Sequence, residues 1–156
     1  MSQVTIESFE QFQAFVGKSM GVSDWLRIEQ SMIDKFADAT LDHQWIHIDA
    51  KRAAQESPFG KTIAHGYLAL SLVPHLWNQI AEIKNIRMLI NYGIDKLKFN
   101  QPVVVDSEVR LSVKLAALTN LRGIAKAELD AVLEIKDNPK PAFSATVILL
   151  YHFNQE

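Results

Sequence analysis

Ile63-Ala-His-Gly-Tyr-Leu-Ala-Leu-Ser-Leu-Val-Pro-His-Leu-Trp-Asn-Gln-Ile80 is apolar around nearly its whole circumference. A helix that is hydrophobic on every side must be surrounded on every side. Ser71, Pro74, His75 and Asn78 interrupt the run, so it reads as a buried core helix and not as a membrane span. Pro74 lies inside it and should kink it or end a straight portion. The covering layer comes from the C-terminal half, where the period changes from helical to alternating. Val109, Leu111, Val113 and Leu115 alternate with Arg110, Ser112 and Lys114. Ala125, Ala127, Leu129, Ala131, Leu133 and Ile135 alternate with Lys126, Glu128, Asp130 and Glu134. Phe143, Ala145, Val147, Leu149 and Tyr151 form a third run. Ile86 to Tyr92 and Asp95 to Phe99 add an earlier strand, broken near Gly93. Such runs are half-buried antiparallel strands. Their turns fall at Thr119–Gly123 and Lys136–Pro141.

The N-terminal part supplies shorter elements. Ser8-Phe-Glu-Gln11 fits a capping box, and Phe9, Phe12, Phe15 and Val16 follow at helical spacing, with Gly17 and Gly21 bracketing the end. Trp25 to Glu29 reads as a short strand. Ser31-Met-Ile-Asp34 opens a second helix with Met32, Phe36 and Ala39 on one side, and this helix delivers the chain to Asp42. Asp49 caps a further short helix through Ala54, and Ser57-Pro-Phe-Gly60 is a loop. The order is thus a strand, one long buried helix, then four or so antiparallel strands. That order predicts an α+β fold in which an antiparallel sheet wraps around a long central helix. A sheet of this kind covers one side of its helix well, so a partner subunit is expected. With no internal repeat or linker, residues 1–156 read as a single domain.

Composition narrows the function. Hydrophobic residues make up 48% and charged residues 22%, with a formal net charge of -2. There is no basic run and no RNP-type aromatic motif, so nucleic acid is not an expected partner. The absence of cysteine excludes thiolate catalysis and disulfide frameworks. The start, Met-Ser-Gln-Val-Thr-Ile, lacks the basic and apolar regions of a secretory signal, which predicts a cytoplasmic location without membrane attachment.

The chemistry is concentrated in Phe36-Ala-Asp-Ala-Thr-Leu-Asp-His-Gln-Trp-Ile-His-Ile-Asp49. Asp42 stands five residues before His47. A carboxylate and an imidazole held together can share one water, orient it and take its proton. Trp45, Ile46 and Ile48 flank His47 and should desolvate it, favouring a neutral base near neutral pH. Downstream, Ala64-His65-Gly66-Tyr67 opens the apolar helix. Unpaired N–H groups of a first helical turn can hold a developing oxyanion, and Gly66 lets a carbonyl oxygen approach closely. The plainer reading of Gly66 is tight helix–sheet packing. His65 reads as structural or pocket-lining. His43 and His47 are four apart, but Leu41–Ile48 lacks helical periodicity and Gln44 stands where a metalloprotease-type motif needs glutamate, so no metal is expected.

These segments resemble the MaoC-like (R)-specific enoyl-CoA hydratases of the single hot-dog type, close to the nodulation-protein-N-like branch. The resemblance runs from Ser23-Asp-Trp25 to the last strand, and its further motifs are Pro58 to Gly66, Ile90-Asn-Tyr-Gly93 and Lys98-Phe-Asn-Gln-Pro-Val103. It implies a hot-dog fold, catalytic roles for Asp42 and His47, and a polarising backbone N–H at Gly66. It implies a substrate channel of Thr62, Ile63, Ala64 and His65, of Met88, Leu89, Ile90 and Asn91, and of Phe99, Asn100 and Gln101. Hydration of a trans-2-enoyl-CoA to the (R)-3-hydroxyacyl-CoA is the implied reaction, with no cofactor and a homodimer as the assembly. Two positions depart from the family pattern: Leu41 replaces a glycine, and Lys98 replaces an arginine. The alternatives are an acyl-thioesterase, a carrier-protein-dependent dehydratase, or a non-catalytic acyl-CoA-binding protein. Thioesterases of this shape generally carry a carboxylate on the central helix, and Lys61 to Ala81 has none.

Overall fold

The computed structural model describes residues 2–154. The chain begins β1 (Val4–Ile6), α1 (Phe9–Gln13), β2 (Ser19–Val22), β3 (Leu26–Arg27) and α2 (Gln30–Thr40). It continues through α3 (Trp45–Ile48), α4 (Ala50–Glu56), α5 (Gly66–Ser71) and α6 (Val73–Ile80). It ends with β4 (Ala81–Ile83), β5 (Ile86–Phe99), β6 (Glu108–Leu121), β7 (Ile124–Ile135) and β8 (Phe143–Phe153).

The four alternating runs become four long antiparallel strands, ordered β6-β7-β8-β5, with β2 and β3 both added on the β6 edge. Every predicted inward residue of β6, β7 and β8 is buried. The break near Gly93 is real: the β5–β8 register shifts between Asn91 and Gly93, and again between Asp95 and Lys98. Such bulges bend a strand and increase its twist, which curls the sheet around the helices. Val73, Leu76, Trp77 and Ile80 of α6 fill the concave face. The α+β hot-dog architecture is therefore present.

The central helix differs from its expected form. Ile63 to His65 are not helical: Ile63 bridges to Val104, and the Ala64 N–H donates to the Val103 carbonyl at 2.8 Å. The remainder is two helices that meet at Leu72. Pro74 explains the break, because in the first turn of α6 its missing N–H costs no intrahelical bond. All-round burial is not reached within one chain, since Tyr67 is 69% exposed.

Several short elements escaped the sequence reading. β1 and β4 pair in parallel over three positions, and β2 occupies the stretch read as a helix end between Gly17 and Gly21. Strands of three or four residues carry too little alternation to be seen. Ala39 is exposed, and Ile33 and Ala37 form the buried stripe of α2 instead. The capping box is formed on one side: the Gln11 N–H donates to Ser8 Oγ at 3.2 Å, while Gln11 Oε1 accepts from the N–H of Glu7, one residue before the cap, at 2.9 Å.

At the centre of the core, Trp77 Nε1–H donates to the Tyr151 hydroxyl at 2.7 Å, and Phe12 of α1 meets the Tyr151 ring edge-on at 5.5 Å. Burial pushes the Tyr151 hydroxyl well above its ordinary value. Tyr151→Phe should leave the indole N–H buried without an acceptor. Urea denaturation should register a loss of about 1–3 kcal/mol, the cost of an orphaned buried donor.

Candidate active site

The candidate segment is shaped at the end of α2. Thr40 Oγ donates back to the Phe36 carbonyl at 2.7 Å, and Leu41 then turns left-handed at φ 63. Asp42 follows, and its Oδ1 accepts from the Gln44 N–H at 3.3 Å as in an Asx turn. One carboxylate oxygen of Asp42 thus holds the turn, which leaves the other for chemistry. His43 points away, with its ring Nε2 2.8 Å from Asp38 Oδ1 at the surface, so it does not join His47.

His47 lies on α3, a single turn that the aperiodic sequence did not announce. The turn carries His47 inward to 8% exposure. Of the residues expected to desolvate it, Ile46 is half-buried, Ile48 is exposed, and Trp45 lies under the Arg52 guanidinium at 4.3 Å. His65 adds a wall, its ring stacking on His47 with centroids 3.8 Å apart and planes 24° from parallel.

Hydrogen bonds define the His47 tautomer. Nδ1 sits 2.7 Å from the Ile63 carbonyl oxygen, which can only accept, so Nδ1 carries the proton and Nε2 presents a lone pair. Burial holds the imidazole below its ordinary value of 6.5; the bond to Ile63 opposes this, His65 adds to the lowering, and Asp42 works against it. Gln30 fixes the segment from beneath. Its amide donates to the His47 carbonyl at 2.8 Å, and its Oε1 accepts from Thr62 Oγ at 2.6 Å.

A carboxylate oxygen of Asp42, a ring nitrogen of His47 and a ring nitrogen of His65 all lie within 4.8 Å of one another. That separation admits one bridging water with two ordinary hydrogen bonds. It would also bring three possible ligand atoms to a cation, but two stacked imidazoles aim their in-plane lone pairs side by side and not toward a common point.

A cleft of about 340 Å³ opens beside this group, lined by His47, Phe59, Ile63, Ala64, His65, Gly66, Phe99, Asn100 and Gln101 among others. Gly66 is the first residue of α5, so its N–H has no intrahelical partner. A Cβ there would fall 3.1 Å from the Phe99 ring, so a larger residue would have to push that ring aside by a few tenths of an ångström. Thr62 does not line the cleft; it is 2% exposed and engaged with Gln30. Met88 to Asn91 also lie elsewhere, on β5, where Leu89 and Asn91 border a separate cleft of about 400 Å³ beside α5 and α6. A larger concavity, about 1100 Å³ around Arg87, Arg122 and His152, shares no residue with the candidate site. Phe59 and Gln30 were missed by sequence reasoning. Gln30 in particular gives no local signal, because its partners lie 17 and 32 residues away.

Residues 11–134 match the family described as MaoC like domain. The chain belongs to the MaoC-like family. Among its relatives, 3-hydroxyacyl-thioester dehydratase Z of Mycobacterium tuberculosis is 43% identical over 94% of this chain and 97% of that protein. Nodulation protein N of Rhizobium meliloti is 40% identical over 94% of this chain and 92% of that protein. Of solved structures, the (R)-hydratase from A. caviae superposes with a TM-score of 0.66 at 25% identity, covering 86% of this chain and 94% of that one. A monoamine oxidase regulatory protein from Archaeoglobus reaches a TM-score of 0.77 at 19% identity over 99% of this chain and the whole of the other, which speaks for the fold alone. As a MaoC-like protein, the chain is a hydratase/dehydratase. Among the described residues, no helix is long and apolar enough to cross a membrane.

The departure at Leu41 now has a physical meaning in this MaoC-like domain. The position is left-handed, and the side chain is 80% exposed, so leucine gains almost no burial there. A left-handed L-residue costs about 1–2 kcal/mol, which glycine avoids. Leu41→Gly is expected to stabilise the protein by about 1 kcal/mol, raising Tm by roughly 2–4 °C in calorimetry.

Proposed function

We propose that this protein reversibly hydrates a trans-2-enoyl thioester, with CoA as the carrier, to the (R)-3-hydroxyacyl thioester. The observation that carries the reading is the approach of Asp42 and His47 to within one water's reach. The relatives named as a 3-hydroxyacyl-thioester dehydratase and as an (R)-hydratase agree with it.

The chemistry follows from the proton positions. His47 Nε2 accepts one hydrogen of the shared water, and an Asp42 oxygen accepts the other. As the water oxygen bonds to C3, its proton passes to Nε2 and the C2–C3 π electrons move toward the thioester. The oxygen gains enolate character and is held by the Gly66 N–H, which is preorganised at the start of α5. The proton returns to C2 on the same face, which restores the enzyme and completes the addition. The same steps reversed are dehydration. The apolar rim of Phe59, Ile63 and Phe99 suits an acyl thioester and excludes bulk water. A thioesterase reading finds no support in α5 and α6, which carry no carboxylate.

Asp42→Asn and His47→Gln are each expected to lower kcat for crotonyl-CoA hydration by at least about a hundredfold, with little change in Tm. Near-normal turnover in either variant would sink the shared-water mechanism. Tight acyl-CoA binding without turnover in the wild type would point to a binding protein. The pH profile gives a second check. Since burial keeps His47 below 6.5, the base stays unprotonated to lower pH than a free imidazole does. The acid limb of kcat/KM should therefore have its midpoint below 6.5, and a limb at or above that value would contradict the assignment.

The proposed assembly is a homodimer through β5. That strand is a 14-residue edge with Met88, Ile90, Tyr92 and Ile94 exposed. The chain exposes 8947 Å², against about 7,900 Å² for a compact monomer of its mass. Light scattering should return twice the chain mass, and Ile94→Asp should shift it to one, because a buried unpaired charge opposes the edge pairing.

A further inference from the structure

His65 lines the cleft and touches both members of the proposed acid–base pair, yet it is almost wholly buried. It is 3% exposed. Its Nε2 lies 3.0 Å from the backbone carbonyl of Asp42, so Nε2 carries the proton, while the Asp42 carboxylate is 3.9 Å away. One side of the ring stacks on His47 at 3.8 Å, and Phe36 of α2 packs against it with centroids 4.9 Å apart. Its own residue caps α5, one peptide bond before Gly66.

Packing alone does not account for a histidine here. Nδ1 is buried with no hydrogen-bond partner. Leaving a buried acceptor unpaired is unfavourable, and phenylalanine would fill the same space without that defect. Histidine alone combines a flat ring that can stack with an in-plane donor that can reach the Asp42 carbonyl. Asp42 needs such a tie. It follows a left-handed residue, its side chain is 54% exposed, and its remaining hydrogen bond stays within its own loop.

We propose that His65 is a positioning residue: its ring holds His47 by stacking while its Nε2–H holds Asp42 through the backbone carbonyl. One rigid imidazole thereby sets the separation of the acid–base pair and ties both to the start of α5. The inference rests on the Asp42–His47 reading above. The titratable groups that face His47 are Asp42 and His65, and His65 is the one that favours the uncharged ring. Losing the stack should then let His47 protonate at higher pH.

Three variants of the full chain separate the two contacts. His65→Leu removes both, His65→Phe keeps the ring, and His65→Gln places an amide donor near the position of Nε2. Crotonyl-CoA hydration is followed for kcat and KM, and imidazole NMR follows the His47 titration without reference to activity. His65→Leu should lose about a hundredfold in kcat with KM changed by no more than about threefold, since misplacement of reacting groups acts on the chemical step. His65→Phe and His65→Gln should each recover about tenfold of that loss. His47 should titrate at higher pH in all three variants, since each removes the imidazole neighbour. Wild-type kcat in His65→Leu, or Phe and Gln variants no better than Leu while equally folded, would overturn the proposal. If His65→Leu fails to fold, His65→Phe and His65→Gln are compared with the wild type instead, and wild-type kcat in both would overturn the proposal. An inactive wild type would defeat the hydratase reading, whereas an unmoved His47 titration in His65→Leu would defeat the positioning role by itself.

Discussion

Leu76, Trp77 and Ile80 pack into the concave side of the sheet, and this contact fixes where every other element can stand. Burial of such side chains contributes about 1.5–3 kcal/mol each, and the Trp77–Tyr151 bond removes the polar penalty of placing an indole there. Because α6 is held, α5 must start at one end of β5, next to Phe99. The extended residues before α5 then lie along Val103 and Val104, which delivers Ile63 and His65 to the place where α3 presents His47. The core therefore sets the position of the chemistry as well as the stability of the domain.

The candidate site carries features that an optimally stable fold would avoid. Leu41 is left-handed, Nδ1 of His65 is unpaired, and two imidazoles are buried face to face. Each is tolerated because its neighbours over-determine it. Gln30 and the Ile63 carbonyl clamp His47 from both sides, and α2 and α5 enclose His65. Strain and unsatisfied groups of this sort gather where function requires a particular geometry. The neutral, oriented state of His47 arises from the same enclosure, since burial both lowers its proton affinity and limits it to one tautomer.

The open side of the molecule has the opposite character. β5 has both faces only partly covered and no neighbour beyond β8, while Tyr67 projects from α5 beside Phe99 at 6.1 Å. Long apolar edges are hazards unless they are paired or covered. An isologous pairing of β5 with its copy would cover the edge and the exposed flank of α5 together.

Much was legible along the chain. Period-2 alternation from Val109 to Tyr151 and the apolar run before Ile80 determined the α+β wrap, because each pattern admits one buried face and each strand length matches a sheet. The segment from Asp42 to His47 and the start at Gly66 pointed to the candidate site through residue types that short spacing brings together. Three things were decided only by tertiary structure. The helix break at Leu72 depends on whether Pro74 falls in a helix interior or a first turn, and packing chooses between them. Met88 to Asn91 lie on an edge strand beside a second cleft, ahead of the register shifts between Asn91 and Gly93 and between Asp95 and Lys98. The stack of His65 on His47 and the Gln30 bridge join residues 17 to 32 positions apart. Sequence periodicity reports which face of an element meets the core; it carries no information about which polar groups from distant elements meet there.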